Sequence, residues 1–229
     1  MNSVQDQING LASWFYNNIE RKGFKPDSLP EGNNNYKAVC ETIDGLFGSF
    51  SKQFEIMAYS TAAILNYTDN IRNRVIPENK IIILKGLEHK ISFPNICNEK
   101  LFLVFFYSML SSCHSIRDIM NNIVKLRFSG IVFDIYNMKI RELKDALKDY
   151  NIINILNPIY DEGKETDFGT ILKIRNLIHH KDFTNIFTSA LPPKVLVGGK
   201  NICIDDFAEC YVYKVMTKYV ELFCDEITQ

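Results

Sequence analysis

From Ile43 onward, one side chain type recurs with a helical step that does not break for some thirty residues. Ile43, Phe47, Phe50, Phe54, Met57, Thr61, Ile64, Thr68, Ile71 and Val75 advance by four and three in turn. Residues spaced this way line one face of an α-helix. A helix carrying so long an apolar stripe must bury it against another long element, which points to a helical bundle. The two threonines on the seam argue against a coiled coil, whose seam positions are apolar. The helix is expected to stop before Pro77, because the residue preceding a proline is pushed out of helical geometry.

The rest of the chain suits the same architecture. Val4, Ile8, Leu11, Trp14, Phe15 and Ile19 predict a helix at about 3–22, with Gly23 at its C-terminal cap. A third helix is expected from near Asn98 to about Lys125; Ser108, Ser111, Ser112 and Ser115 along it permit close approach of a neighbour. Further helices are expected at about 137–149, 166–181 and 205–227, the last opening on Asp205 and Asp206, which suit the positive end of a helix dipole. Two β-hairpins are expected, one pairing 80–84 with 90–93 and one pairing 195–197 with 202–204 around Gly198-Gly199-Lys200-Asn201. The fold class is therefore mainly all-α: an up-down helical bundle with one or two small β-hairpin insertions. A single domain is expected over 1–229, with a core bundle at about 36–182 plus 205–228 and the 3–22 helix packed on it.

Composition narrows the functional classes. The formal net charge is −1, so the basic excess of a protein that coats nucleic acid is missing, and any RNA contact must be local. The longest apolar run, Leu101 to Leu110, is too short to span a bilayer and reads as core helix. The N-terminus has neither a basic start nor an apolar core of a signal peptide. The six cysteines show no CxxC and no zinc-site spacing, so they are expected to be reduced, packed thiols in a cytoplasmic protein with no membrane association.

Chemistry is concentrated in Lys173-Ile174-Arg175-Asn176-Leu177-Ile178-His179-His180-Lys181-Asp182. On an ideal helix Arg175 falls inside the apolar arc of Phe168, Ile171, Leu172, Ile174 and Ile178. A guanidinium there either pairs with a carboxylate or faces a cleft where an anion binds, since burying it alone costs several kcal/mol. Half of the chain's four histidines follow it four and five residues later. Imidazole titrates near neutrality, which suits proton transfer.

Arg175-Asn176-Leu177-Ile178-His179-His180 resembles the Arg-x4–6-His signature of the HEPN (higher eukaryotes and prokaryotes nucleotide-binding) superfamily, in its Arg-Asn-x-x-x-His form. The arginine, the polar residue after it and the terminal histidine all match, on a late helix of a helical chain. The resemblance implies a metal-independent endoribonuclease without a cofactor, working as a homodimer whose two motifs share a cleft. It also implies service as a toxin or defence RNase, with an antitoxin or regulatory protein as partner. In that scheme Arg175 stabilises charge on the phosphate and His180 moves a proton, with Asn176 in support. The products are a 2′,3′-cyclic phosphate and a 5′-hydroxyl. The alternative is a non-catalytic HEPN-like module for dimerisation or for binding a partner or nucleotide.

On a continuous helix His179 lies about 40° from Arg175 and His180 about 140° away. Either the helix ends near His180, or the arginine of one subunit works beside the histidine of its twin. His180 is the expected working residue and His179 a supporting candidate. A further candidate lies on the third helix, where His114, Asp118 and Asn121 share a face and Asp118 is placed to orient Arg175 or a histidine. An exposed polar face accounts for the same pattern. His89 is expected in a turn with no chemical role.

Overall fold

The computed structural model describes residues 35–72, 80–84, 87–91, 95–129, 167–180, 186–187 and 192–227. In chain order these form α1 (Tyr36–Arg72), β1 (Lys80–Leu84), β2 (Leu87–Ile91), α2 (Asn95–Ser129), α3 (Asp167–His180), β3 (Ile186–Phe187), β4 (Lys194–Val197), β5 (Lys200–Cys203), α4 (Ile204–Asp206), a π-helical segment (Phe207–Tyr213) and α5 (Lys214–Ile227). The described part is mainly α-helical. The expected helices at 3–22 and 137–149 lie outside the described residues.

The long stripe on α1 is buried as its spacing requires. From Ile43 to Thr68 every position of the seam is at most 8% exposed. Its two threonines enter the core because their hydroxyls turn back on their own helix. Thr61 Oγ1 donates to the Met57 carbonyl at 2.9 Å, and Thr68 Oγ1 donates to that of Ile64 at 3.0 Å. Each hydroxyl is thereby satisfied without a partner from another element, and its methyl group faces the core.

The surface that covers this stripe is α2, which makes the broadest helix–helix contact in the described part. Tyr67, late in α1, stacks on Phe102, early in α2, at 5.2 Å between ring centroids. The two helices therefore run antiparallel, as the β1–β2 hairpin between them requires. Phe102, Phe106, Met109, Cys113, Ile116 and Met120 form the buried face of α2. Ser112, one of the small residues expected to ease close approach, is itself buried. The helix runs past the expected Lys125 to Ser129, and all residues from Asn122 to Phe128 are buried, so this end of α2 is enclosed on every side.

The C-terminal helical stretch packs across this pair. Phe207 meets Phe106 of α2 at 5.8 Å, and Phe223 meets Phe50 of α1 at 6.4 Å. One regular helix was expected here, and the structure corrects that: seven residues, Phe207–Tyr213, are wound as a π-helix. The Lys214 amide donates to the Glu209 carbonyl five residues back. The sequence explains the change of pitch. Ala208, Val212, Met216 and Val220 are buried at successive steps of four. On an α-helix such a run drifts by about 40° per step, and a wider turn absorbs the drift.

Both hairpins form, with boundaries that differ from expectation. β2 begins at Leu87, so His89 lies in a strand opposite Ile82 and not in a turn. In the second hairpin Val197 pairs with Lys200, which leaves Gly198 and Gly199 alone in the turn. Their φ values of 54° and 79° are the left-handed pair that a tight hairpin turn needs. A short strand that the sequence did not announce, β3, adds to β4 and places the chain shortly after α3 on the edge of this sheet. The Ile204 amide donates to the Pro193 carbonyl at 3.0 Å, fastening the start of the final helix to the same sheet. Among the described residues no helix is long and apolar enough to cross a membrane.

Candidate functional site

The motif helix α3 packs against α2, the π-helical segment and α5. Ile171, Leu172, Ile174 and Ile178 are buried and define the arc facing those neighbours. Arg175 lies within that arc, between Ile171 and Leu172 in helical projection, and is half-buried. The arginine thus points toward the packed side of its helix, where its sequence position placed it. The helix ends at His180, which agrees with an end near the terminal histidine of the motif. The side chains of His179 and His180 lie outside the described residues.

Two features of the Arg175 guanidinium bear on chemistry. Nη1 donates to Asn176 Oδ1 at 2.9 Å, so the motif's second residue braces its first. Nε is buried and has no hydrogen-bond partner among the described residues. Among the described residues no carboxylate forms an ion pair with it. Leaving a donor buried and unmade costs about 1–3 kcal/mol, more when the group is charged. A cation held by a neutral amide keeps its full charge for an anion, and its planar fork matches a phosphate or carboxylate.

Asp118, the supporting residue on α2, binds partners from its own helix. Its Oδ2 lies 3.1 Å from His114 Nδ1, one turn earlier. Its Oδ1 accepts from Arg117, with Nε at 3.1 Å and Nη2 at 3.0 Å. Arg117 Nη2 also lies 3.2 Å from Nδ1 and 3.3 Å from Nε2 of His114. Both carboxylate oxygens are therefore engaged. Partial burial raises the Asp118 pKa, but the bonds and positive charge of His114 and Arg117 outweigh it and hold the carboxyl below its ordinary value. The structure joins Arg175 to Asn176 and Asp118 to His114 and Arg117.

Several polar groups were not read as buried from the sequence. Lys125 and Arg127 are both buried near the C-terminal end of α2, where the helix dipole favours cations, and Arg127 lies 5.3 Å from the Phe128 ring centre. Arg127 in the last turn was the available signal, and the helix outlasted the expected boundary. Tyr213, at the junction of the π-helical segment with α5, has a buried hydroxyl without a partner among the described residues, and burial raises its pKa. Asn121 Oδ1 on α2 is likewise buried and unbonded. Donor atoms of Cys203, Asp205 and Asp206 come within 4.8 Å of one another. The two aspartates open a helix, where its dipole accounts for them.

No family model matches this chain, and no characterised protein or solved structure matches it either.

Proposed function

We propose that this chain is a metal-independent endoribonuclease of the HEPN type, with Arg175 as its phosphate-binding cation and His180 as its proton carrier. One observation carries the reading. Arg175 sits in the packed arc of its helix, steadied by the Asn176 amide, with its Nε buried and unbonded among the described residues. A structural arginine in such a place is expected to be neutralised by a carboxylate. One that serves a substrate anion is not.

The reaction follows from these residue types. RNA supplies its own nucleophile in the 2′-hydroxyl. His180 removes that proton or protonates the leaving 5′-oxygen, and Arg175 stabilises the charge that grows on the phosphoryl oxygens. The products are a 2′,3′-cyclic phosphate and a 5′-hydroxyl, with no metal or cofactor in the scheme. The working form is a homodimer with a composite cleft, in the cytoplasm, acting as a toxin or defence RNase under an antitoxin or regulatory protein. Asn176 positions the guanidinium, and His179 and Asp118 are supporting residues.

The alternative, a non-catalytic HEPN-like module for dimerisation or for partner or nucleotide binding, is favoured by the formal net charge of −1. Incubating the purified protein with mixed RNA in EDTA, beside Arg175→Ala and His180→Ala, separates the two. Cleavage by the wild type alone supports the nuclease. Equal cleavage by all three removes it, and no cleavage by any leaves the binding module.

A further inference from the structure

We infer that the outer face of α1 docks a second copy of this chain, with the two α1 helices antiparallel and Ile56 and Tyr59 covered by the contact. The inference names the face of the homodimer in the reading above, and it stands apart from the nuclease chemistry of that reading.

α1 carries a second line of residues besides its buried seam. Glu41, Gly45, Gly48, Lys52, Ile56 and Tyr59 advance by four or three, and all six are exposed. At about 100° per residue Tyr59 lies opposite Phe50 of the buried seam, so the line runs along the far side of the helix. Ile56 is 43% and Tyr59 52% exposed, although both are large and apolar. A helix that packs on one side only carries charged and polar residues on the other. The far side of α1 instead sets two large apolar groups and two glycines in line.

The charges on this face select its occupant. Glu41 and Asp44 precede the glycines, and Lys52 follows them. A two-fold axis brings a surface against its own reverse. An axis midway between Leu46 and Phe47 sets Lys52 against the partner's Glu41, and each such pair occurs twice. The same axis sets Gly45 against the partner's Gly48, and Asp44 against the partner's Ser49. Ile56 then lies over the alkyl stem of the partner's Lys37. The charge pair and the glycine pair thus share one centre, and along this register no like charges meet. A parallel pair would set Glu41 on Glu41 and Lys52 on Lys52, which repels. The face is therefore complementary to itself in the antiparallel orientation.

The local structure leaves room for that contact. Glycine inside a helix weakens it relative to alanine. A Cβ built on Gly45 or on Gly48 meets no atom within 4 Å, so packing within this chain does not account for either glycine. Close approach of another backbone does. Ser49 turns its hydroxyl back on the Gly45 carbonyl at 3.0 Å, as Thr61 and Thr68 do on the buried seam. The middle of the face is thus low, and its hydroxyl makes no polar demand on what covers it.

The test is sedimentation equilibrium of the full chain, comparing wild type, Gly48→Leu, Lys52→Glu and the double variant that joins Glu41→Lys to Lys52→Glu. Far-UV circular dichroism identifies any variant that fails to fold; should Gly48→Leu do so, the charge variants on the exposed face carry the test. Gly48→Leu and Lys52→Glu are each expected to raise the dimer Kd by about tenfold or more. The double variant exchanges both signs and is expected to return to within about threefold of wild type. Weakening by Lys52→Glu with recovery in the double variant supports the inference. A wild type that stays monomeric overturns it, whatever its action on RNA, which the cleavage assay reads separately. A wild-type dimer that no variant weakens also overturns it, and leaves the homodimer to another face. Weakening without recovery overturns the antiparallel register.

Discussion

His114 and Asp118 face each other across one turn of α2, with the ring Nδ1 3.1 Å from the carboxylate Oδ2. The contact is partly open to water, so its value to stability is small, below about 1 kcal/mol. Its pH dependence nevertheless has a definite sign. The folded state holds the Asp118 carboxyl below its ordinary pKa, so the stabilisation is present above the ordinary carboxylate range. It disappears as pH falls through the lowered value. Urea denaturation at neutral pH should therefore show Asp118→Asn slightly less stable than wild type, and the gap should close in acid. A gap that widens in acid contradicts the assignment.

Thr68 is buried on the α1 seam with its hydroxyl bonded to the Ile64 carbonyl. That carbonyl lies within the regular helix, so removing the hydroxyl leaves no donor stranded. Thr68→Val should match or exceed wild-type stability, because nothing buried is left unsatisfied. Thr68→Ser should lose about 0.8 kcal/mol for the missing methyl. Chemical denaturation of the three proteins checks the order Val, Thr, Ser.

Gly199 occupies a φ of 79° in the turn between β4 and β5. An added Cβ meets no atom within 4 Å there, so any penalty comes from the backbone and not from a clash. Gly199→Ala should cost about 1–2 kcal/mol. Gly198→Asn should cost less, since asparagine tolerates the left-handed region. Equal melting temperatures for Gly199→Ala and wild type contradict the turn geometry.

Tyr213 buries its hydroxyl without a partner, and burial raises its pKa above the ordinary phenol value. Its contribution is complete below the unfolded pKa and is lost as pH rises through the folded one. Tyr213→Phe should therefore match or exceed wild-type stability at neutral pH, and should resist alkali better above about pH 10. Denaturation midpoints taken at neutral pH and again in alkali give both comparisons.

The parts of the fold that were legible in the sequence are those where one physical rule dominates. The stripe from Ile43 to Thr68 leaves no option but a long buried helix face, and the glycine pair at 198–199 fixes a hairpin turn. The π-helical winding of Phe207–Tyr213 was not legible, because buried residues at steps of four fit an α-helix nearly as well until the neighbours fix the phase. β3 was invisible because two residues carry no alternation. At the site, the direction of Arg175 could be read from the apolar arc around it, and its bond to Asn176 could not, since that depends on side-chain rotamers. The spacing of His114 and Asp118 was visible, but only the structure shows Arg117 closing the cluster from the side.

The central claim is that the Arg175 guanidinium binds the scissile phosphate of RNA. End-group analysis of RNA incubated with the protein in EDTA, beside Arg175→Lys and Arg175→Ala, tests it most directly. The account predicts 2′,3′-cyclic phosphate ends from wild type, far fewer from Arg175→Lys, whose ammonium lacks the planar fork, and none from Arg175→Ala. Cyclic phosphate ends in equal yield from all three proteins would contradict it.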